Sequence, residues 1–311
     1  MGENIYFWIG FIVFVIIILS LDLGIFHRKD RKVPVREAII WTAIWISLAL
    51  IFCLLIYFKS GPGEGKVKAL EFLTGYVIEY TLSIDNIFVF ILIFSFFSIS
   101  EKYQHKVLFW GIIGAVIMRA IFIFAGVTLI NRFHWIIFIF GGFLIFTGIR
   151  MLFKSDIKVD PEKNPVVRFS RKIMPVTNVL HEGKFFVKEK NKLFATPLFI
   201  VLLIIESSDV IFAADSIPAI LAITRDSFIV FTSNIFAIMG LRSLYFAISG
   251  IMEYFKHLKK GIAIILAFVG IKMCTSDFFK ISVFYSLIII ISILLIFILA
   301  SLTGKKESDR T

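Results

Sequence analysis

Glu79-Tyr80-Thr81-Leu82-Ser83-Ile84-Asp85-Asn86 lies in the middle of an apolar run from about Leu70 to Phe97. Two carboxylates and a carboxamide stand where hydrocarbon should be. A second apolar run holds Glu206-Ser207-Ser208-Asp209-Val210-Ile211-Phe212-Ala213-Ala214-Asp215-Ser216. Moving one charged side chain to the centre of a bilayer costs roughly 2.5–3.5 kcal/mol on insertion scales, so such residues are candidates for function. Five of them, in two related segments, call for a common explanation.

The surrounding chain is apolar in blocks. Of its 311 residues, 59% are hydrophobic, against 45–50% in an average soluble domain. The excess comes in runs of about 20 residues, the length that spans a bilayer at about 1.5 Å per residue. The pattern predicts an all-α, polytopic membrane protein with nine transmembrane helices. These fall at about 5–24, 38–58, 70–98, 107–130, 134–153, 194–222, 227–249, 260–274 and 281–302. Residues 154–193, with Pro161, Pro165 and Pro175 and mixed charge, read as a cytoplasmic linker with little regular structure. Residues 303–311 read as a short polar tail.

Charge orients the chain. With the N-terminus outside, the inner loops carry 23 Lys and Arg and the outer loops carry 6, so the positive-inside rule favours N-out, C-in. The net charge of +11 is therefore assigned to topology and lipid head groups rather than to nucleic acid. Met1 to Phe7 holds no Lys or Arg, unlike the basic start of a secretory signal, and the first run is expected to stay as an anchor. Cys53 and Cys274 have no metal-site or disulfide spacing.

The two acidic segments align. Glu79 and Asp85 fall on Asp209 and Asp215, and Asn86 on Ser216. The following helices carry Met118-Arg119-Ala120 and Leu241-Arg242-Ser243, and the next ones end in Gly148-Ile149-Arg150 and Gly270-Ile271-Lys272. Helices 3–5 and 6–8 thus read as two copies of one unit. Three helices per copy make the repeat inverted, an arrangement found in transporters that bind substrate at the midplane.

Residues seven apart on a helix nearly eclipse, so Glu79, Ser83 and Asn86 share a stripe from which Asp85 departs. Pro218 cannot donate to the carbonyl of Ala214, and a kink or unwinding there would free that oxygen beside Asp215. Glu79, Asp85, Glu206, Asp209 and Asp215, with Ser83, Asn86, Ser208, Ser216 and the Ala214 carbonyl, form an oxygen-only donor set. Such donors suit Mg²⁺, Ca²⁺ or Mn²⁺ better than copper or zinc. Five carboxylates exceed the charge of one divalent ion, so protons, or Arg119 and Arg242, must balance the rest. Pairing with those arginines to hold helices together is the structural alternative. An aspartyl protease dyad is a poor match, because further acids accompany the aspartates. Asp22 is expected at the inner interface near Arg28, and Glu71 at the outer end in solvent. Lys272 is expected to snorkel outward and Arg150 inward. Trp8 and His134-Trp135 are expected in the aromatic belts.

These motifs resemble the TerC family of integral membrane proteins, which includes the Alx proteins. The likeness is closest over Glu79 to Asn86, over Glu206 to Pro218, and over Phe236 to Phe246, and it extends from Leu19-Ser20-Leu21-Asp22 to the last helix. The resemblance implies a nine-helix, N-out protein of the cytoplasmic membrane with a pseudo-symmetric core. It implies manganese export, supply of manganese to secreted metalloenzymes or their secretion machinery, or tellurite resistance. It places metal ligands at Glu79, Asp85, Glu206, Asp209 and Asp215. No tightly bound cofactor is expected, and Mn²⁺ would be cargo. An anionic oxyanion fits an acidic site poorly.

Overall fold

The computed structural model describes residues 5–26, 33–61, 63–133, 135–153, 174–177, 183–189, 192–249, 258–276, 278–279 and 281–308. The side chains of residues 21–26, Asp85, Phe88, 258–259 and 302–308 fall outside that description. So do residues 154–173 of the linker, and the expectations for Asp22 and His134.

Nine helices of 17 residues or more occur among the described residues. They are α1 (Ile5–Phe26), α2 (Val35–Lys59), α3 (Glu64–Phe96), α4 (Glu101–Arg132), α5 (Ile136–Phe153), α6 (Pro197–Leu221), α7 (Ser227–Ser249), α8 (Leu258–Cys274) and α9 (Val283–Ser308). Seven are long and apolar enough to cross a membrane, with a shorter apolar stretch at Ile5–Ser20 in α1. The protein is therefore a polytopic, all-α membrane protein. Local chemistry sets several boundaries. Pro34, in extended conformation, precedes α2. Pro197 occupies the first turn of α6, where its missing N–H costs nothing. The Asp226 carboxylate caps α7, accepting from the N–H of Phe228 at 3.0 Å and of Ile229 at 3.4 Å.

Three helices outrun their apolar segments. α3 and α4 each start six residues earlier than expected, and α9 continues to Ser308 through the expected tail. Polar residues at helix ends lower hydropathy without stopping backbone hydrogen bonding, so a hydropathy count misses them. The end of the linker is also more regular than expected. A hairpin pairs β1 (Phe186–Glu189) with β2 (Lys192–Ala195), and Val176 bridges to Ala195 alongside it.

α7 is the axis of the molecule. All its residues from Phe228 to Ile248 are buried, against α2, α3 and α4. α3 and α4 also pack on α6, and α5 packs on α8. The last pair meets backbone to backbone. A Cβ on Gly148 would lie 2.6 Å from the Ala263 oxygen, and one on Gly270 would lie 2.7 Å from the Gly141 oxygen. Membrane helices lack a hydrophobic drive to associate and rely on such close approach of small residues. α1, α2 and α9 line the outside and expose Ile, Leu and Phe to lipid. Trp8 is half-buried near the start of α1. Its ring packs inward, 5.2 Å from Phe228 and 5.5 Å from Phe231.

Candidate functional site

Arg119 sits halfway along α4 and is 1% exposed. A guanidinium this deep must find acceptors, since removing one partner of a buried ion pair costs several kcal/mol. Three neighbouring helices supply them. Nη1 donates to the Glu79 carboxylate oxygen Oε1 of α3. The same nitrogen donates to Ser216 Oγ of α6 at 3.1 Å and to Asn234 Oδ1 of α7 at 2.5 Å. Nη2 donates to Asp209 Oδ1 of α6 at 3.3 Å. Ser83, one turn along α3, donates to Glu79 Oε1 at 3.4 Å.

Donors and acceptors at the centre are imperfectly matched. Three oxygens share the two N–H groups of Nη1. Glu79 Oε2 and Asp209 Oδ2 are buried with no hydrogen-bond partner among the described residues, as are Arg119 Nε and Asn234 Nδ2. A guanidinium built solely to bind carboxylates presents a parallel fork instead. Here the oxygens converge on one cationic head from three helices, α3, α6 and α7.

The other expected residues lie around this centre. Asn86 is buried on the same stripe as Glu79 and Ser83. Asp85 lies outside the described side chains. Glu206 is half-buried, its carboxylate pressed against Gly114 of α4, where any larger side chain would collide with it. Ser208 Oγ donates to the carbonyl of Ile204, one turn back on its own helix, at 2.8 Å. Asp215 is half-buried and Ala214 is exposed. Arg242 is buried and joins Asp209, Phe90, Gly111 and Ala115 around a cavity of about 10 Å³, room for about one water. Glu79 and Asp209 thus meet through Arg119. Among the described residues, no three Asp, Glu, His or Cys side chains form a ready metal cage.

The expected unwinding at Pro218 does not occur. α6 is continuous from Pro197 to Leu221, and α3 is unbroken past Asn86. Pro218 sits inside the last turn of α6, and its missing N–H leaves the Ala214 carbonyl without its α-helical donor although the helix stays unbroken. Two further expectations also change. Lys272 is 7% exposed rather than snorkelling, close enough to Glu71 for the two charges to interact. Glu71 is half-buried and accepts from Thr224 Oγ1 at 2.8 Å. Arg150 is exposed.

Asn234 escaped sequence reasoning. It has no acidic neighbour, and its place in the repeat is taken by Gly111 in the first copy. The signal was the polar run Thr232-Ser233-Asn234 inside an apolar helix, where an unsatisfied carboxamide would be costly.

Residues 64–309 match the Integral membrane protein TerC family. The chain belongs to the TerC family. An uncharacterized membrane protein of Myxococcus xanthus is 50% identical over 301 residues, covering 97% of this chain and 93% of the relative. A Salmonella typhi protein called a putative membrane-bound redox modulator, Alx, is 42% identical over 308 residues, covering 97% of this chain and 96% of its own. The protein of the same name from Escherichia coli K12 is 44% identical over 292 residues, covering 92% of this chain and 91% of its own. No solved structure matches.

Proposed function

We propose that this TerC-family protein exports a hard divalent cation, Mn²⁺ foremost, across the cytoplasmic membrane, with protons moving the other way. The observation that carries this reading is the buried oxygen centre formed by Glu79, Asp209, Ser216 and Asn234 at membrane depth. Hard cations seek such donors, and the two carboxylates carry more charge than the single Arg119 guanidinium between them. Asp85, Glu206 and Asp215 complete the path in this proposal, and secreted metalloenzymes are downstream recipients.

The packing supports two related halves. Exchanging α3, α4 and α5 for α6, α7 and α8 turns the α3–α7 contact into the α6–α4 contact. It maps the α3–α6, α4–α7 and α5–α8 contacts onto themselves, so the principal contacts are preserved. The N-out orientation rests on the distribution of Lys and Arg.

A structural reading has its own support, because Arg119 ties four helices together. Cellular manganese separates the two. Expression in cells lacking their own exporter is expected to lower Mn content and raise resistance to added Mn²⁺. Asp209→Asn is expected to abolish both effects while still reaching the membrane. Unchanged Mn content with wild-type protein in the membrane would overturn the export reading. Competition by Ca²⁺ and Mg²⁺ in the same assay separates the hard cations.

A further inference from the structure

Two carboxylates at this depth cannot stand without a counter-charge. Arg119 supplies it, and the manner in which it does so is informative. Its head group is surrounded by Glu79 Oε1, Asp209 Oδ1, Ser216 Oγ and Asn234 Oδ1. That mixture of carboxylate, hydroxyl and carboxamide oxygens is the shell that a hard cation takes. Glu79 Oε2 and Asp209 Oδ2 are buried without a partner among the described residues, and so are Arg119 Nε and Asn234 Nδ2, so the guanidinium sits in this shell without saturating it.

We propose that Arg119 is a tethered counter-cation that occupies the ion's place when the ion is absent and is displaced when it binds. This rests on the transport reading above. The oxygens cannot serve both cations at once, since a divalent ion in the shell would stand beside the guanidinium and repel it. Binding therefore moves Arg119 off at least one half of the protein. Release lets it return, joining Glu79 of one half to Asp209 of the other. The ion-free carrier then keeps a positive charge between its two carboxylates while it resets across the membrane. Arg119 is a positioning residue in this scheme, and it makes net export possible, where a carrier without it would be confined to exchanging one metal ion for another.

The test uses full-length purified protein, with Mn²⁺ as the probe. Binding is measured in detergent. Net efflux and Mn²⁺-for-Mn²⁺ exchange are measured in proteoliposomes. Arg119→Gln is expected to bind Mn²⁺ more tightly, to lose net efflux, and to keep exchange. Arg119→Lys keeps a tethered cation but, as a compact point charge, holds the converging oxygens of the shell less firmly. It is expected to bind Mn²⁺ more tightly than wild type and, unlike Arg119→Gln, to keep net efflux. A role confined to bracing the helices would instead lower binding, exchange and efflux together, and that result overturns the proposal. Should Arg119→Gln fail to fold, Arg119→Lys decides alone: tighter Mn²⁺ binding with net efflux retained supports displacement, and unchanged or weaker binding refutes it. If wild-type protein neither binds nor moves any divalent cation, the transport reading itself falls, a result that involves no Arg119 variant.

Discussion

Arg119 holds two carboxylates at once, and this makes the consequences of substitution unequal. Arg119→Leu strands Glu79 and Asp209 together in a dry interior. Removing one side of a buried pair costs about 3–5 kcal/mol. Asp209→Asn leaves the guanidinium its bond to Glu79 and preserves the shape of the site, so it costs less. Thermal unfolding in detergent should therefore rank wild type above Asp209→Asn, and Asp209→Asn above Arg119→Leu. The reverse order for the two variants would mean that Arg119 does not neutralise this site. The acids themselves were legible in the sequence because a carboxylate in a 20-residue apolar run stands out. Their convergence was not. Helical spacing says which residues share a face of one helix, but nothing about which face meets which across four. Asn234 was lost for that reason, and Lys272 was misplaced because snorkelling assumes a lipid-facing stem, whereas α8 turns that stem inward, near Glu71.

The helices were legible to within a few residues wherever hydropathy and helix coincide, and less so where polar residues extend the helix. The strands of the linker hairpin, Phe186–Glu189 and Lys192–Ala195, are too short and too charged to carry a periodic signal. The repeated glycines before Arg150 and Lys272 were visible as a motif, but their purpose was not. They let α5 and α8 approach until one backbone meets the other. Gly148→Leu and Gly270→Leu should each force the pair apart. Overpacking costs about 1–3 kcal/mol, and more where the obstacle is backbone that cannot move aside. Gly142 offers a control on the same helix, because a Cβ there meets nothing within 4 Å. Melting temperature should fall for the first two variants and stay near wild type for Gly142→Leu. Equal effects at all three positions would show that helix propensity, not close approach, governs this pair.

At the scale of the whole molecule, the buried centre lies between two ties. At the end assigned to the outside, Thr224, beyond α6, donates to Glu71 of α3 at 2.8 Å. At the end assigned to the cytoplasm, the Tyr245 hydroxyl of α7 donates to Gln104 of α4 at 2.8 Å. Each tie joins an element of one proposed half to an element of the other. A carrier that exposes its site to one side at a time must break either tie while the other holds. At the outer end Lys68 of α3 also pairs with Asp226 at 3.9 Å, so opening there breaks both contacts. A covalent bond across the outer tie should therefore stop transport without unfolding the protein. In a background with Cys53 and Cys274 replaced by Ser, Glu71→Cys and Thr224→Cys can be joined by a short thiol cross-linker that is cleaved by reductant. Mn²⁺ efflux from proteoliposomes should fall to background after cross-linking and return after reduction. Either single-cysteine protein should be indifferent to the reagent. Full-rate efflux through the cross-linked protein would mean that the ion leaves by a route that does not separate α3 from the α6–α7 turn, and the rocking of one half against the other would have to be abandoned.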